Sequence, residues 1–175
     1  MKLIALLHTQ SDGSLAKAAL ETVSAAKQLG VPFAIGILGK GAKAACDTVA
    51  ASGADVFFAV EGDAFEQPRY ATDVAAEVAL VQAAGADVVL EAQTSRFARS
   101  LPGAAYRLGA QTDTHIVSLA LDGEKITAQR WYYRQRFSRP SPARHVRWSC
   151  WSIPVCTNRT RVRLPPRPCR TWQLR

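Results

Sequence analysis

The stretch KLIALLHTQSDGSLAKAALETVSAAKQLGVPFAIGIL, Lys2 to Leu38, holds a complete strand–helix–strand unit. Lys2 to His8 is an apolar run closed by the polar turn Thr9-Gln10-Ser11-Asp12-Gly13, the pattern of a strand buried on both faces. From Ser14 onward Leu15, Ala18, Ala19, Thr22, Val23, Ala26 and Leu29 recur at helical spacing, with Lys17, Glu21 and Lys27 outward. Gly30 and Pro32 stop that helix, and Phe33 to Leu38 forms the second strand.

The same cycle repeats on the C-terminal side. Gly39-Lys40-Gly41 turns into an Ala-rich helix, Ala42 to Ser52, and Asp55 to Val60 (DVFFAV) is a third strand. A polar loop, Glu61 to Arg69, leads to a helix over Tyr70 to Ala84 striped by Val74, Val78 and Val81. Asp87 to Ala92 (DVVLEA) is a fourth buried strand. Thr94 to Gly109 then places Phe97, Leu101, Ala104, Ala105 and Leu108 on an inner face and Arg96, Arg99 and Arg107 outside, with Pro102 starting or kinking the helix. Strands alternating with helices of this length imply right-handed crossovers, hence a doubly wound α/β domain with a mostly parallel sheet. The pattern changes at Thr114–Leu121 and Lys125–Tyr133, two strand-like runs joined by Asp122-Gly123, which predict an antiparallel hairpin.

Beyond Phe137 the material is different. Residues 1–137 carry 13 basic and 14 acidic residues, a net −1, whereas residues 138–175 hold nine Arg and no Lys, Asp or Glu. The chain's +8 therefore belongs to this tail, which also contains six of the nine Pro and three of the four Cys. No period survives there, so no packed structure is expected. Arg as the only charge, with Trp and Cys raised together, is also what a G+C-rich coding region gives when read out of frame. The body is the size of one domain. No apolar run nears the roughly 20 residues of a membrane span, and Lys2–Leu7 is too short for a signal-peptide core. Cys46 alone in the body excludes a disulfide framework there. A cytoplasmic or mitochondrial-matrix-like setting is expected.

Four constellations bear on function. Gly36, Gly39, Lys40 and Gly41 lie where a parallel strand meets a helix, a place where backbone N–H groups can cradle phosphate, though the spacing fits neither GxGxxG nor GxxxxGK[ST]. His8, His115 and His145 have no nucleophile at a recognisable elbow, which leaves a hydrolase without support. His145 with Cys150, Cys156 and Cys169 lacks the paired short spacing of structural zinc. The Arg-rich, Trp-punctuated tail suits nonspecific nucleic-acid binding.

Residues 1–137 resemble the N-terminal domain of the electron transfer flavoprotein alpha subunit. The opening Ile4 to Leu15, with its strand, His8, polar turn and following helix, is similar to that family's start, and Thr22 to Gly30 to its helix ending. Ala92-Gln93-Thr94-Ser95-Arg96-Phe97-Ala98-Arg99-Ser100-Leu101-Pro102 resembles the family's Thr-Ser-x-Phe-Gly-(Arg/Lys)-x-Leu-x-Pro segment, with Ala98 in place of Gly. Asp113 falls where the family has the Asp of its next strand.

The resemblance implies an adenine nucleotide alpha hydrolase-like α/β fold, a heterodimer with the beta subunit, and one FAD. It further implies an electron carrier that moves electrons from acyl-CoA dehydrogenase-type donors to the respiratory chain, with no membrane insertion of its own. The family's FAD contacts come mostly from a second, C-terminal domain, and nothing after Phe137 resembles one, so no FAD residue is assigned here. Phe97, Leu101 and Leu108 are expected in the core, and Arg96 and Arg99 outside, at an interface or in solvent. Two alternatives remain open. One is a stand-alone nucleotide-binding domain using His8, Ser11, Gly39 and Thr94 at the carboxyl ends of strands one and four; the other is a nonfunctional truncated product.

Overall fold

A computed structural model describes residues 1–123, 125–132, 137–142, 147–151 and 170–172. In chain order the elements are β1 (Leu3–His8), α1 (Lys17–Gln28), β2 (Phe33–Leu38), α2 (Ala42–Val49), β3 (Val56–Val60), α3 (Tyr70–Ala84), β4 (Val88–Ala92), α4 (Phe97–Leu108), β5 (Gln111–Asp122), β6 (Lys125–Tyr132), β7 (Phe137–Pro142), β8 (Arg147–Trp151) and β9 (Arg170–Trp172). Among the described residues these strands form one sheet in the order β7-β6-β5-β8-β4-β1-β2-β3-β9. β1 pairs in parallel with β2 on one side and β4 on the other, so the chain winds outward in both directions from β1. The expected doubly wound, mostly parallel α/β architecture is present, with β5 and β6 paired antiparallel as its hairpin.

β1 explains why its run is apolar throughout. Side chains alternate across a strand, and here both faces are covered. Leu3, Ala5 and Leu7 join Ala19, Val23 and Ala26 of α1 and Ala45, Cys46 and Val49 of α2 in one core layer. Ile4 and Leu6 join Val74, Leu80 and Val81 of α3 and Phe97, Leu101 and Ala104 of α4 in the other. The hairpin folds over the α1 side, where Ile116 and Ala128 meet Ala25. Gly36, read above as part of a phosphate cradle, is instead a packing position. A Cβ there would stand 2.8 Å from Leu6 Cδ2 and 3.4 Å from Leu80 Cδ1, so the strand's central position is kept empty for α3.

The α2 helix ends at Val49, not Ser52, β5 starts at Gln111, not Thr114, and three further differences from the sequence reading have a visible cause. α1 begins at Lys17, not Ser14, because the Gln10 N–H bonds the Ser14 carbonyl (2.8 Å) and Thr9 bridges Leu15, tying residues 9–15 into a loop. α4 begins at Phe97 and runs straight through Pro102, whose ring sits on the exposed face. The third concerns the tail, expected to lack packed structure. Residues 137–142, 147–151 and 170–172 are strands of the sheet, with β8 between β4 and β5. Strand pairing draws on backbone N–H and C=O groups, which need no side-chain period, and two parallel strands with a gap between them offer such groups on both sides. Pro140 and Pro142 fall on β7, an outermost strand, where a missing N–H costs no ladder bond on the open side. His145, Cys156 and Cys169 lie outside the described residues.

Candidate functional site

In open α/β sheets the crevice lies beyond the carboxyl ends of the strands, at the point where the winding reverses. Here that point is between β1 and β4, and the two residues facing each other across it are His8 and Thr94. His8 Nε2 is 2.9 Å from Thr94 Oγ1, and His8 Nδ1 is 3.2 Å from the Thr9 carbonyl. A carbonyl can only accept, so Nδ1 carries the proton and Nε2 accepts from the threonine hydroxyl. Thr94 Oγ1 in turn accepts the Phe97 N–H (3.3 Å), and the Thr94 carbonyl accepts the Ala98 N–H (2.9 Å). Thr94 thus opens α4 and fixes His8 at once. The His8 ring also meets Phe97 edge to face, with centroids 5.0 Å apart. Burial, foremost, pushes the His8 pKa below its usual 6.5, the bond to Thr9 opposing it, so the imidazole is neutral near pH 7.

Gly39 stands beside this pair. Its φ of +128° is a conformation that side chains rarely adopt, and a Cβ would come 2.2 Å from the buried Thr9 Oγ1. That hydroxyl oxygen has no hydrogen-bond partner among the described residues. Ser11 is exposed on the loop after β1, where the turn is held by Asp12 accepting the Ser14 N–H (2.9 Å) and hydroxyl (2.7 Å). These bonds lower the Asp12 pKa. The structure therefore brings His8, Thr94, Thr9 and Gly39 to one crevice and leaves Ser11 at its rim.

At the Gly39-Lys40-Gly41 turn the Gly39 N–H is committed to the Val60 carbonyl (3.1 Å). The Lys43 N–H at the start of α2 faces Glu61 Oε1 at 3.3 Å, and Lys40 Nζ pairs with Glu66 Oε1 at 3.1 Å. Two carboxylates of the chain therefore lie beside this turn, and their charge opposes an anionic ligand there.

A polar seam that the sequence reading missed runs between α3 and α4. Arg96, expected outside, is buried at 7% exposure and grips Asp73 through Nε (2.9 Å) and Nη2 (2.6 Å), with the Phe65 carbonyl at 3.4 Å. The helical wheel failed because residues 94–96 form the turn before α4, which swings Arg96 toward the first turn of α3. Arg99, by contrast, is exposed as expected. One turn along, Glu77 accepts the Ser100 hydroxyl in a short hydrogen bond, and Glu91 of β4 lies beneath both helices. Glu91 was readable: after Asp87 at its start it is the one charge in DVVLEA, a strand expected to be buried.

Farther along the same edge, His115 adopts φ +59°, at a break in the β5 pairing register. Its Nε2 lies 3.2 Å from Gln93 Nε2, and Asp113 two residues earlier pairs with Arg130 at 2.7 Å. Among the described residues no cluster of His, Cys, Asp or Glu could hold a metal ion, and no helix is long and apolar enough to cross a membrane.

Residues 4–139 match the sequence model of the electron transfer flavoprotein domain. Over 118 residues the chain is 34% identical to the electron transfer flavoprotein subunit alpha of Syntrophomonas wolfei subsp. wolfei, an alignment covering 63% of this chain and 36% of that protein. The chain thus corresponds to about a third of the length of this relative.

Proposed function

The chain belongs to the electron transfer flavoprotein domain family, and from that premise we propose that it is the N-terminal α/β domain of an alpha-type subunit, acting as scaffold in an electron carrier. The match over 4–139, which extends from β1 past the hairpin, supports the family, and the 34% identity to a subunit alpha supports the subunit type. The carrier would form with a beta-type subunit, contain FAD, and take electrons from acyl-CoA dehydrogenase-type donors toward the respiratory chain. The carboxylates of Glu61 and Glu66 beside the α2 turn agree with a flavin held mostly by a second, C-terminal domain, as the family resemblance implies, and not by these residues. In this role the His8–Thr94 bond locks β1 to α4 and keeps the crevice shaped.

Co-expression with a beta-type subunit tests the proposal. Co-purification of a one-to-one complex is expected, and the chain expressed without the beta-type subunit should be the less soluble. A chain that stays apart from the beta subunit and carries no flavin sinks the reading. If that separate chain instead retains an adenine nucleotide, the stand-alone alternative, favoured by the position of His8 and Thr94 at the winding reversal, takes its place.

A further inference from the structure

Between the sheet and the α3–α4 layer the described residues bury three carboxyl groups and one guanidinium: Asp73, Glu77, Glu91 and Arg96. Arg96 is committed to Asp73 by two bonds. Glu77 and Glu91 are both at 0% exposure, and among the described residues neither forms a salt bridge. Glu91 lies opposite Leu6 in the β1–β4 register and two residues after Val89, which belongs to the α3–α4 core layer, so its side chain enters the layer that contains Glu77. Neither oxygen of Glu91 has a hydrogen-bond partner among the described residues, nor does Glu77 Oε2. The Ser100 hydroxyl serves Glu77 Oε1 and also approaches the Arg96 carbonyl at 3.2 Å.

An unpaired carboxylate in an apolar layer is far costlier than a neutral acid, and two facing carboxylates cannot both ionise cheaply. We propose that Glu77 and Glu91 are held as protonated acids and form a pH-responsive latch between β4 and the α3–α4 layer, closed while neutral and driven apart when they ionise. Among the described residues the groups acting on the pair are Asp73 from α3 and Ser100 and Arg96 from α4; β2 and β3 are apolar throughout, and on the other side of β4 Glu91 neighbours Cys150 of β8 in the pairing register. Burial raises the Glu77 pKa to about 8, with Asp73 adding to the rise and Ser100 and Arg96 opposing it. Burial, then Glu77, raises Glu91 well above the ordinary carboxylate range. A raised folded-state pKa means that the stabilisation is complete below the unfolded value near 4.5 and is lost as pH rises through about 8.

The full chain, Glu91→Gln and Glu77→Gln are to be melted across pH, with infrared spectra of the parent chain recording the protonated-carboxyl carbonyl band. The parent midpoint should fall by roughly 5 °C between about pH 6 and about pH 9, and each Gln variant should flatten that fall. The infrared band should be present at the lower pH and fade at the higher. Parallel melting curves for parent and variants would overturn the latch. If neither variant folds, the parent infrared spectrum decides: no protonated-carboxyl band at the lower pH rejects the proposal.

Discussion

Thr94 is one side chain with two tasks, and its removal should show both. It receives the Phe97 N–H at the start of α4 and donates to His8 Nε2. Thr94→Val keeps the shape and removes both bonds, so a loss of about 1–2 kcal/mol is expected, typical of a helix cap together with a part-buried hydrogen bond. For a chain of this size that is a fall of roughly 2–8 °C in Tm, measurable by circular dichroism. His8 should add a pH signature of opposite sign to the acid pair. Its folded-state pKa lies below 6.5, so the unfolded chain binds more protons between those values and stability rises with pH across that window. His8→Gln should remove this rising contribution and so steepen, below pH 6.5, the fall that Glu77 and Glu91 impose between 4.5 and about 8; an unchanged slope there would refute the His8 contribution.

At the scale of elements, the Asp73–Arg96 pair ties α3 to α4, and it is worth testing as a pair. Breaking it from one side strands a buried charge, so Asp73→Ala should cost about 3–5 kcal/mol. Replacing both partners by apolar residues, Asp73→Leu with Arg96→Met, should cost far less than the sum of the single changes. A double-mutant cycle by chemical denaturation checks this, and additive costs would mean that the pair does not couple the helices. The elements themselves were largely legible. β2 and α3 were read to the residue, since a run such as Phe33–Leu38 or Tyr70–Ala84 is bounded by Gly or Pro and has one period throughout. The starts of α1 and α4 were not, because the bonds that delay them are loop contacts made by Ser14, Leu15 and Thr94. The candidate site divided along the same line. His8, Gly39 and Thr94 could be placed from strand ends alone, whereas the seam of Asp73, Glu77, Glu91 and Arg96 joins three elements that no local pattern relates.

At the scale of the whole molecule, the sheet's continuity depends on β8, an Arg/Trp-rich strand whose composition gave no strand signal. It pairs in parallel with β4 from Val88↔Arg147 to Ala92↔Trp151 and with β5 from Gln111↔Arg147 to Ile116↔Trp151. A strand bonded on both sides has its amides in ladders, and those amides exchange only when the sheet opens. β9 bonds only to β3, through Phe58↔Arg170 to Val60↔Trp172, and stands at the sheet's end. Hydrogen exchange read by mass spectrometry should therefore find 147–151 protected nearly as well as β4, and 170–172 exchanging much sooner. Protection of β4 with rapid exchange across 147–151 would mean that the sheet ends at β4 and the hairpin of β5 and β6 packs without a bridging strand. The α3–α4 seam gives an independent check: Glu91 of β4 neighbours β8 at Cys150 in the pairing register. If β8 closes the sheet there, deleting residues 143–175 should admit water toward Glu91 and reduce the alkaline loss of stability, and an unchanged pH profile would show the core to be sealed by α3 and α4 alone.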